Sequence, residues 1–114
     1  MKPILLVLLG ILAACTDIAK ISDEGISNGK KLAFDRNKGN CLACHVIDDG
    51  ESPGNIGPPL AALKSRFQDK QQLREQIFDA MRYNPETSMP PFGKNNILNT
   101  DEIDQIVDYL WSLP

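Results

Sequence analysis

The clearest chemistry in this sequence lies in five consecutive residues, Cys41-Leu42-Ala43-Cys44-His45. Cys-x-x-Cys-His spacing is the signature of covalent c-type haem attachment. Two thiols three positions apart can add to the two vinyl groups on one edge of a porphyrin, while the next residue turns its imidazole towards the iron. We therefore expect Cys41 and Cys44 to attach one haem covalently and His45 to bind its iron.

Two other chemistries use the same residue types. A zinc site needs four N, S or O donors and typically two Cys/His pairs, but His45 is the single histidine and no second pair follows. A thioredoxin-like redox pair needs a strand before Cys41 within a βαβ unit, and the local pattern is loop and helix instead. The pattern favours haem over both.

The second axial position of the iron cannot be filled by another imidazole of this chain. It is filled by a different side chain, by a small molecule, or not at all, and methionine is the natural candidate. Met81 falls on an apolar helix stripe and is expected in the core, whereas Met89 lies in a stiff loop with Pro90 and Pro91. We predict His45/Met89 ligation, which favours ferrous iron, leaves no vacancy for oxygen, and suits electron transfer.

The composition restricts the chain to one small domain. It has 114 residues, a formal charge of −3 and three cysteines. That length is too short for a multi-domain enzyme, and three cysteines cannot form a disulfide framework. Because the sequence lacks blocks of lysine and arginine, we expect no nucleic-acid partner.

Three helices are expected to position these groups. The first runs over residues 27–36, the second begins near Asp69 and stops before Pro85, and the third is capped by Asn99 or Thr100. The last two carry apolar stripes: Leu73, Ile77, Ala80 and Met81, then Ile103, Ile106, Val107 and Leu110. Long polar loops cover residues 46–60 and 84–99. The sequence therefore predicts an all-α domain whose core is completed by the haem, with the apoprotein largely unfolded.

The first residues indicate export. Residues 1–14 form a leucine-rich run too short to span a bilayer as a helix, which is typical of a secretory signal. Leu12-Ala13-Ala14-Cys15 resembles the lipobox of bacterial lipoproteins, and this implies a lipid-bearing Cys15 at the mature N-terminus. Ordinary signal-peptidase cleavage is the alternative. We expect a lipoprotein signal at 1–14, a flexible tether at 15–24 and a folded domain at 25–114, anchored to a membrane facing the periplasm.

The order of the motifs resembles the class I cytochromes c. The Cys-x-x-Cys-His unit is followed by Gly57-Pro58-Pro59-Leu60, then by Met89-Pro90, then by an amphipathic helix. The resemblance implies that the carbonyl of Pro58 accepts a hydrogen bond from the Nδ1–H of His45 and that Leu60 contacts the haem. It also implies that the first and last helices cross where Gly29 meets Tyr109 or Trp111.

A narrower resemblance is to the monohaem X subunits of SoxAX cytochrome complexes. It rests on Lys-Gly-Asn before Cys41, Gly-Asn-Ile before Gly57, Arg66-Phe67, and the segment at 84–93, Asn-Pro-Glu-Thr-Ser-Met-Pro-Pro-Phe-Gly. The resemblance implies a SoxA-like haem partner that holds the catalytic site of an L-cysteine S-thiosulfotransferase. This chain would then have no catalytic residue of its own. It would accept electrons released when thiosulfate is coupled to a carrier-protein cysteine and pass them to a soluble cytochrome c.

The Cys-x-x-Cys-His unit also occurs in proteins with two other kinds of function. A free-standing, membrane-tethered monohaem cytochrome c would shuttle electrons without a SoxA-like partner, and composition does not separate it from the SoxAX subunit. A ligand-sensing or peroxidase haem would need a vacant distal site, which Met89 argues against.

Overall fold

The computed structural model of the protein describes residues 14–114, with side chains from residue 19 onward except at residue 21. Three α-helices carry the fold: α1 is described over Ala14–Phe34, α2 spans Lys70–Phe78 and α3 spans Thr100–Ser112. Single turns of 3-10 helix lie at Cys41–Ala43, Leu63–Ser65 and Ala80–Arg82. Residues 14–114 contain no β-strand, and the expected all-α class is confirmed.

Helices α1 and α3 cross at Gly29. A Cβ atom placed on Gly29 would lie 2.0 Å from the backbone oxygen of Gln105 and 2.9 Å from the Cβ of Tyr109, so only glycine permits this approach. One turn further along, the rings of Phe34 and Tyr109 meet edge to face with centroids 6.2 Å apart. The expected pairing of Gly29 with Tyr109 is therefore confirmed.

Helix α3 forms the centre of the domain because it packs against both other helices. The carboxamide oxygen of Asn99 accepts a hydrogen bond from the backbone N–H of Glu102 at 2.9 Å, which caps the first turn as predicted. The predicted stripe is buried: Ile103, Ile106, Val107 and Leu110 are each at most 3% exposed. Pairing of Arg74 with Asp104 at 2.6 Å joins α2 to the outer face of α3.

The second helix starts as predicted and ends early. The Asp69 carboxylate accepts from the backbone N–H of Gln72, but the backbone leaves the helical region at Asp79 (φ −154°, ψ 88°). The stripe holds for Leu73, Ile77 and Ala80, which are buried. Met81 is 43% exposed, so its predicted core position is wrong. The break at Asp79 reorients the next turn, and the helical period no longer applies to Met81.

The prediction that the first helix starts at Ser27 is also wrong. Helix α1 already covers Ala14 and ends at Phe34, so the segment expected as a tether, 15–24, is helical. No proline interrupts residues 14–26, and Ser27 lies within the helix although its type is typical of an N-cap. Side chains at 19, 20 and 22–24 are exposed, so this part of the helix buries little against the domain.

Other predictions for the N-terminus lie outside what the structure describes. Residues 1–13 of the predicted signal are outside the described residues, and so is the side chain of Cys15. None of the described helices combines the length and apolar character needed to cross a membrane. The tether role and the lipid attachment stay predictions.

Substituting Gly29 tests the helix crossing. We expect Gly29→Ala to destabilise the haem-loaded protein by about 1–3 kcal/mol, because the added methyl must displace the backbone of α3. Gly25→Ala is the matched control one turn earlier, where an added Cβ meets nothing within 4 Å. It should leave stability unchanged or raise it by up to about 1 kcal/mol. Urea unfolding measures both, and equal effects would contradict the crossing.

Candidate haem site

One large cavity reaches from the surface into the core. Its volume is about 810 Å³, within the range of roughly 300–1,000 Å³ typical of ligand and cofactor pockets. Buried apolar side chains from α2, α3 and the loop between them line its inner part: Leu73, Ile77, Phe92, Leu98, Ile106 and Leu110. The same aliphatic stripes that hold the helices together therefore also face this space.

The Cys-x-x-Cys-His unit forms one wall of the cavity. Its residues turn tightly, with the backbone N–H groups of Cys44 and His45 both donating to the carbonyl of Cys41, at 3.2 and 2.9 Å. Asn40 enters this turn in the left-handed region (φ 49°). The turn brings both thiols and the imidazole to one cavity, as covalent haem attachment requires.

The two cysteines are free thiols in the structure. Burial raises the pKa of the Cys41 thiol to about 11, so this thiol is protonated at neutral pH. Among the side chains that the structure describes, no group of three or more His, Cys, Asp or Glu residues is arranged to hold a metal ion.

The loop over residues 54–60 forms a second wall of the cavity. Backbone hydrogen bonds join this loop to the cysteine turn. The N–H groups of Gly54, Gly57 and Leu60 donate to the carbonyls of Leu42, Cys44 and Val46, at 2.7, 2.8 and 2.8 Å respectively. These three bonds fix the register of the loop against the turn. They hold the Gly-Pro-Pro-Leu segment next to the imidazole.

The imidazole of His45 is held by this loop. Its Nδ1 lies 2.6 Å from the carbonyl oxygen of Pro58. A carbonyl only accepts, so Nδ1 carries the proton and Nε2 keeps the lone pair that a metal would use. A Cβ on Gly57 would lie 2.3 Å from Cε1 of the ring, so glycine is required for the ring to sit here. The expected role of Pro58 is confirmed, and Leu60 lines the cavity.

Met89 lies on the cavity wall formed by the loop after α2. Its side chain is half-buried, and its backbone N–H donates to the hydroxyl of Thr87 at 3.2 Å. The side-chain amide of Gln76, on α2, donates to the Met89 sulfur with an Nε2–Sδ distance of 3.7 Å. Met81 does not line this cavity. The structure thus brings Met89, not Met81, to the same cavity as His45.

Sequence reasoning missed the residues that support these groups. It assigned no role to Gln76, and it cited Arg66 and Thr87 only as part of a resemblance. The guanidinium of Arg66 donates to the carbonyl of Pro59 at 2.8 Å, next to the residue that holds His45. Only Gln76 left a signal: it is a polar residue beside the Leu73/Ile77 stripe.

The donor set and the lining fit a covalently bound haem. The cavity combines an apolar interior with two thiols, an imidazole with a free Nε2 and a thioether. An all-α domain that places a Cys-x-x-Cys-His unit and a methionine around such a cavity is a c-type cytochrome domain. Residues 26–114 match the family model described as Cytochrome c. The chain belongs to the cytochrome c family, whose members carry a covalently bound haem c.

A solved structure and a curated protein share this similarity. The crystal structure of SoxXA from P. pantotrophus superposes with a TM-score of 0.68 at 29% identity, covering 75% of this chain and 79% of that chain. An "Uncharacterized lipoprotein" of Aquifex aeolicus (strain VF5) is 38% identical over 74 residues, which make up 64% of this chain. The matched part spans only 36% of that lipoprotein. The chain is a class I c-type cytochrome that resembles the X subunit of SoxAX complexes.

Substituting Gly57 tests the packing around the imidazole. We expect Gly57→Ala to lower the stability of the haem-loaded protein by about 1–3 kcal/mol, because the methyl group must push the His45 ring away from Pro58. Asn55→Ala, at an exposed position in the same loop, should have no such effect. Thermal unfolding measures the difference, and a fully stable Gly57→Ala protein would contradict the close contact.

Proposed function

We propose that the chain is a monohaem electron-transfer subunit in which Cys41 and Cys44 hold the haem through thioether bonds and His45 and Met89 are the axial ligands. The observation that carries the proposal is the hydrogen bond from His45 Nδ1–H to Pro58, in a cavity that also contains Met89. When bound, the haem supplies a one-electron Fe(III)/Fe(II) couple. The residues around it determine the potential of that couple and what has access to it.

The two proposed axial side chains have opposite effects on the reduction potential of the iron. Donation of the Nδ1 proton to Pro58 makes Nε2 of His45 a stronger electron donor to iron, and the bond keeps the ring in one orientation. The thioether of Met89 is a soft ligand that favours the ferrous state. With both ligands in place, no position is left for oxygen or peroxide. The chain therefore transfers electrons and does not carry out chemistry on a substrate.

The SoxAX-like role follows from the similarity to SoxXA. In this role, a thiolate on a carrier protein and thiosulfate form an S–S bond and release two electrons. A haem subunit of the SoxA type performs that coupling, and this chain accepts the electrons one at a time and passes them to a soluble cytochrome c. The 29% identity and the coverage of 79% of the matched chain support this assignment.

A free-standing, membrane-tethered electron carrier is the second candidate. The Aquifex relative is described as a lipoprotein, which fits a membrane tether. In either case we propose a periplasmic location with Cys15 lipidated at the membrane and a signal at 1–14. Residues 15–24 then join the lipid to the domain at 25–114, and the helical course of α1 makes that connection a spacer with a defined length.

Replacing each methionine tests the axial ligation. We expect Met89→Ala to abolish the weak red charge-transfer band of the ferric protein. It should also lower the reduction potential by at least about 60 mV, a tenfold shift of a one-electron equilibrium. Met81→Ala is the control, because Met81 is exposed and outside the cavity. Survival of the band in Met89→Ala would contradict the assignment of Met89.

One preparation tests the tether and the partner together. The full chain, expressed in its source organism with a radioactive fatty acid, should be labelled and found in the membrane fraction, whereas Cys15→Ser should be unlabelled. Gentle detergent extraction should then recover a second c-type cytochrome in equal amount.

The two results separate the two proposals. An unlabelled wild-type protein would contradict the lipid anchor. A labelled protein that is extracted as a monomer would contradict the SoxAX-like role and favour the free-standing carrier.

A further inference from the structure

We propose that Gln76 is a positioning residue that acts on the iron through Met89, by donating a hydrogen bond to the Met89 sulfur. The inference deepens the proposed function, because it rests on Met89 being the distal ligand. Its basis is the 3.7 Å separation between Gln76 Nε2 and Met89 Sδ on the wall of the haem cavity.

The position of Gln76 on a helix restricts the movement of its side-chain amide donor. It lies on α2 one residue before Ile77 and three after Leu73, both of which are buried. Its backbone is fixed by a helix whose N-terminus is capped by Asp69, and its side chain is partly buried, so the amide is held close to the cavity. A donor on a rigid element keeps its direction better than one on a loop.

A thioether sulfur can use both its lone pairs at once. One lone pair can bind a metal while the other accepts a weak hydrogen bond, since methionine sulfur is an acceptor only. An N–H donor withdraws electron density from the sulfur, which therefore donates less to iron. Ferric iron needs that donation more than ferrous iron does, so the Gln76 bond disfavours the ferric state and raises the potential.

The Met89 side of the cavity has a second support that acts differently. The Thr87 hydroxyl accepts from the backbone N–H of Met89 and so fixes the loop, but it does not touch the sulfur. Among the described residues that form hydrogen bonds with Met89, Gln76 is therefore the one whose side chain changes the electron density on the sulfur.

Two variants of Gln76 and one matched control test this role in the haem-loaded protein. Gln76→Leu has similar bulk and no donor. Gln76→Glu keeps the length, but its ionised carboxylate only accepts. Gln71→Leu makes the same chemical change at an exposed position on the same helix, outside the haem cavity.

The measurements are the reduction potential and the affinity of the ferric protein for added imidazole, which must displace Met89. For Gln76→Leu we expect a shift of about threefold in the one-electron equilibrium, or ~28 mV towards lower potential. Imidazole should bind about threefold more weakly, because the sulfur is then a better ligand to ferric iron. Gln76→Glu should lower the potential at least as much, and Gln71→Leu should change neither quantity.

Several results would overturn the inference. An unchanged or raised potential in Gln76→Leu would show that the amide only fills space. A lower potential combined with tighter imidazole binding would show that Gln76 merely keeps Met89 in place. If the wild-type ferric protein lacks the methionine charge-transfer band, Met89 ligation fails and this inference fails with it. If the band is present and Gln76→Leu behaves as the wild type, only the role of Gln76 is wrong.

Discussion

The hydrogen bond between His45 Nδ1–H and the carbonyl of Pro58 is the contact on which the site depends. It places the proton of the only imidazole in the chain on Nδ1 and leaves the lone pair of Nε2 free for the iron that we propose it binds. The bond exists because three backbone hydrogen bonds hold the 54–60 loop against the cysteine turn, and because Gly57 leaves room for the ring. The position of the His45 imidazole is therefore determined mainly by the main chain, and few side chains contribute to it.

The haem cavity and the hydrophobic core are made of the same residues. Ile106 and Leu110 of α3 are almost fully buried and also line the cavity, as do Leu73 and Ile77 of α2. A haem in this cavity of about 810 Å³ would contact the aliphatic side chains that border it. A small domain with three helices has little other apolar surface to bury. We therefore predict that haem attachment and folding are coupled, which would explain why the aromatic content can be so low.

The parts of the molecule that could be predicted are those governed by local rules or by adjacent motifs. The placement of Cys41, Cys44 and His45 at one cavity follows from their spacing, and the buried stripe of α3 follows from its helical period. The predictions were wrong where a distant contact or a single backbone angle determines the position of a residue. Met81 fits the stripe of α2, but the backbone break at Asp79 places it at the surface. Ser27 is a good N-cap by type, but an N-cap residue marks the start of a helix only if the residues before it are not helical themselves.

The supports of the two side chains that we propose as axial ligands differ in kind, and this difference limits where the reduction potential can be adjusted. His45 is held by a backbone carbonyl, which every residue possesses, so substitution at Pro58 changes the loop more than it changes the acceptor. Met89 is supported by two side chains: the hydroxyl of Thr87 fixes the backbone of its loop, and the amide of Gln76 contacts only the sulfur, so Gln76 can be replaced while the loop contact stays. Variation on the histidine side therefore changes whether the site forms. Variation on the methionine side can change the electron affinity of a site that still forms, which is the property an electron-transfer subunit must match to its donor and its acceptor.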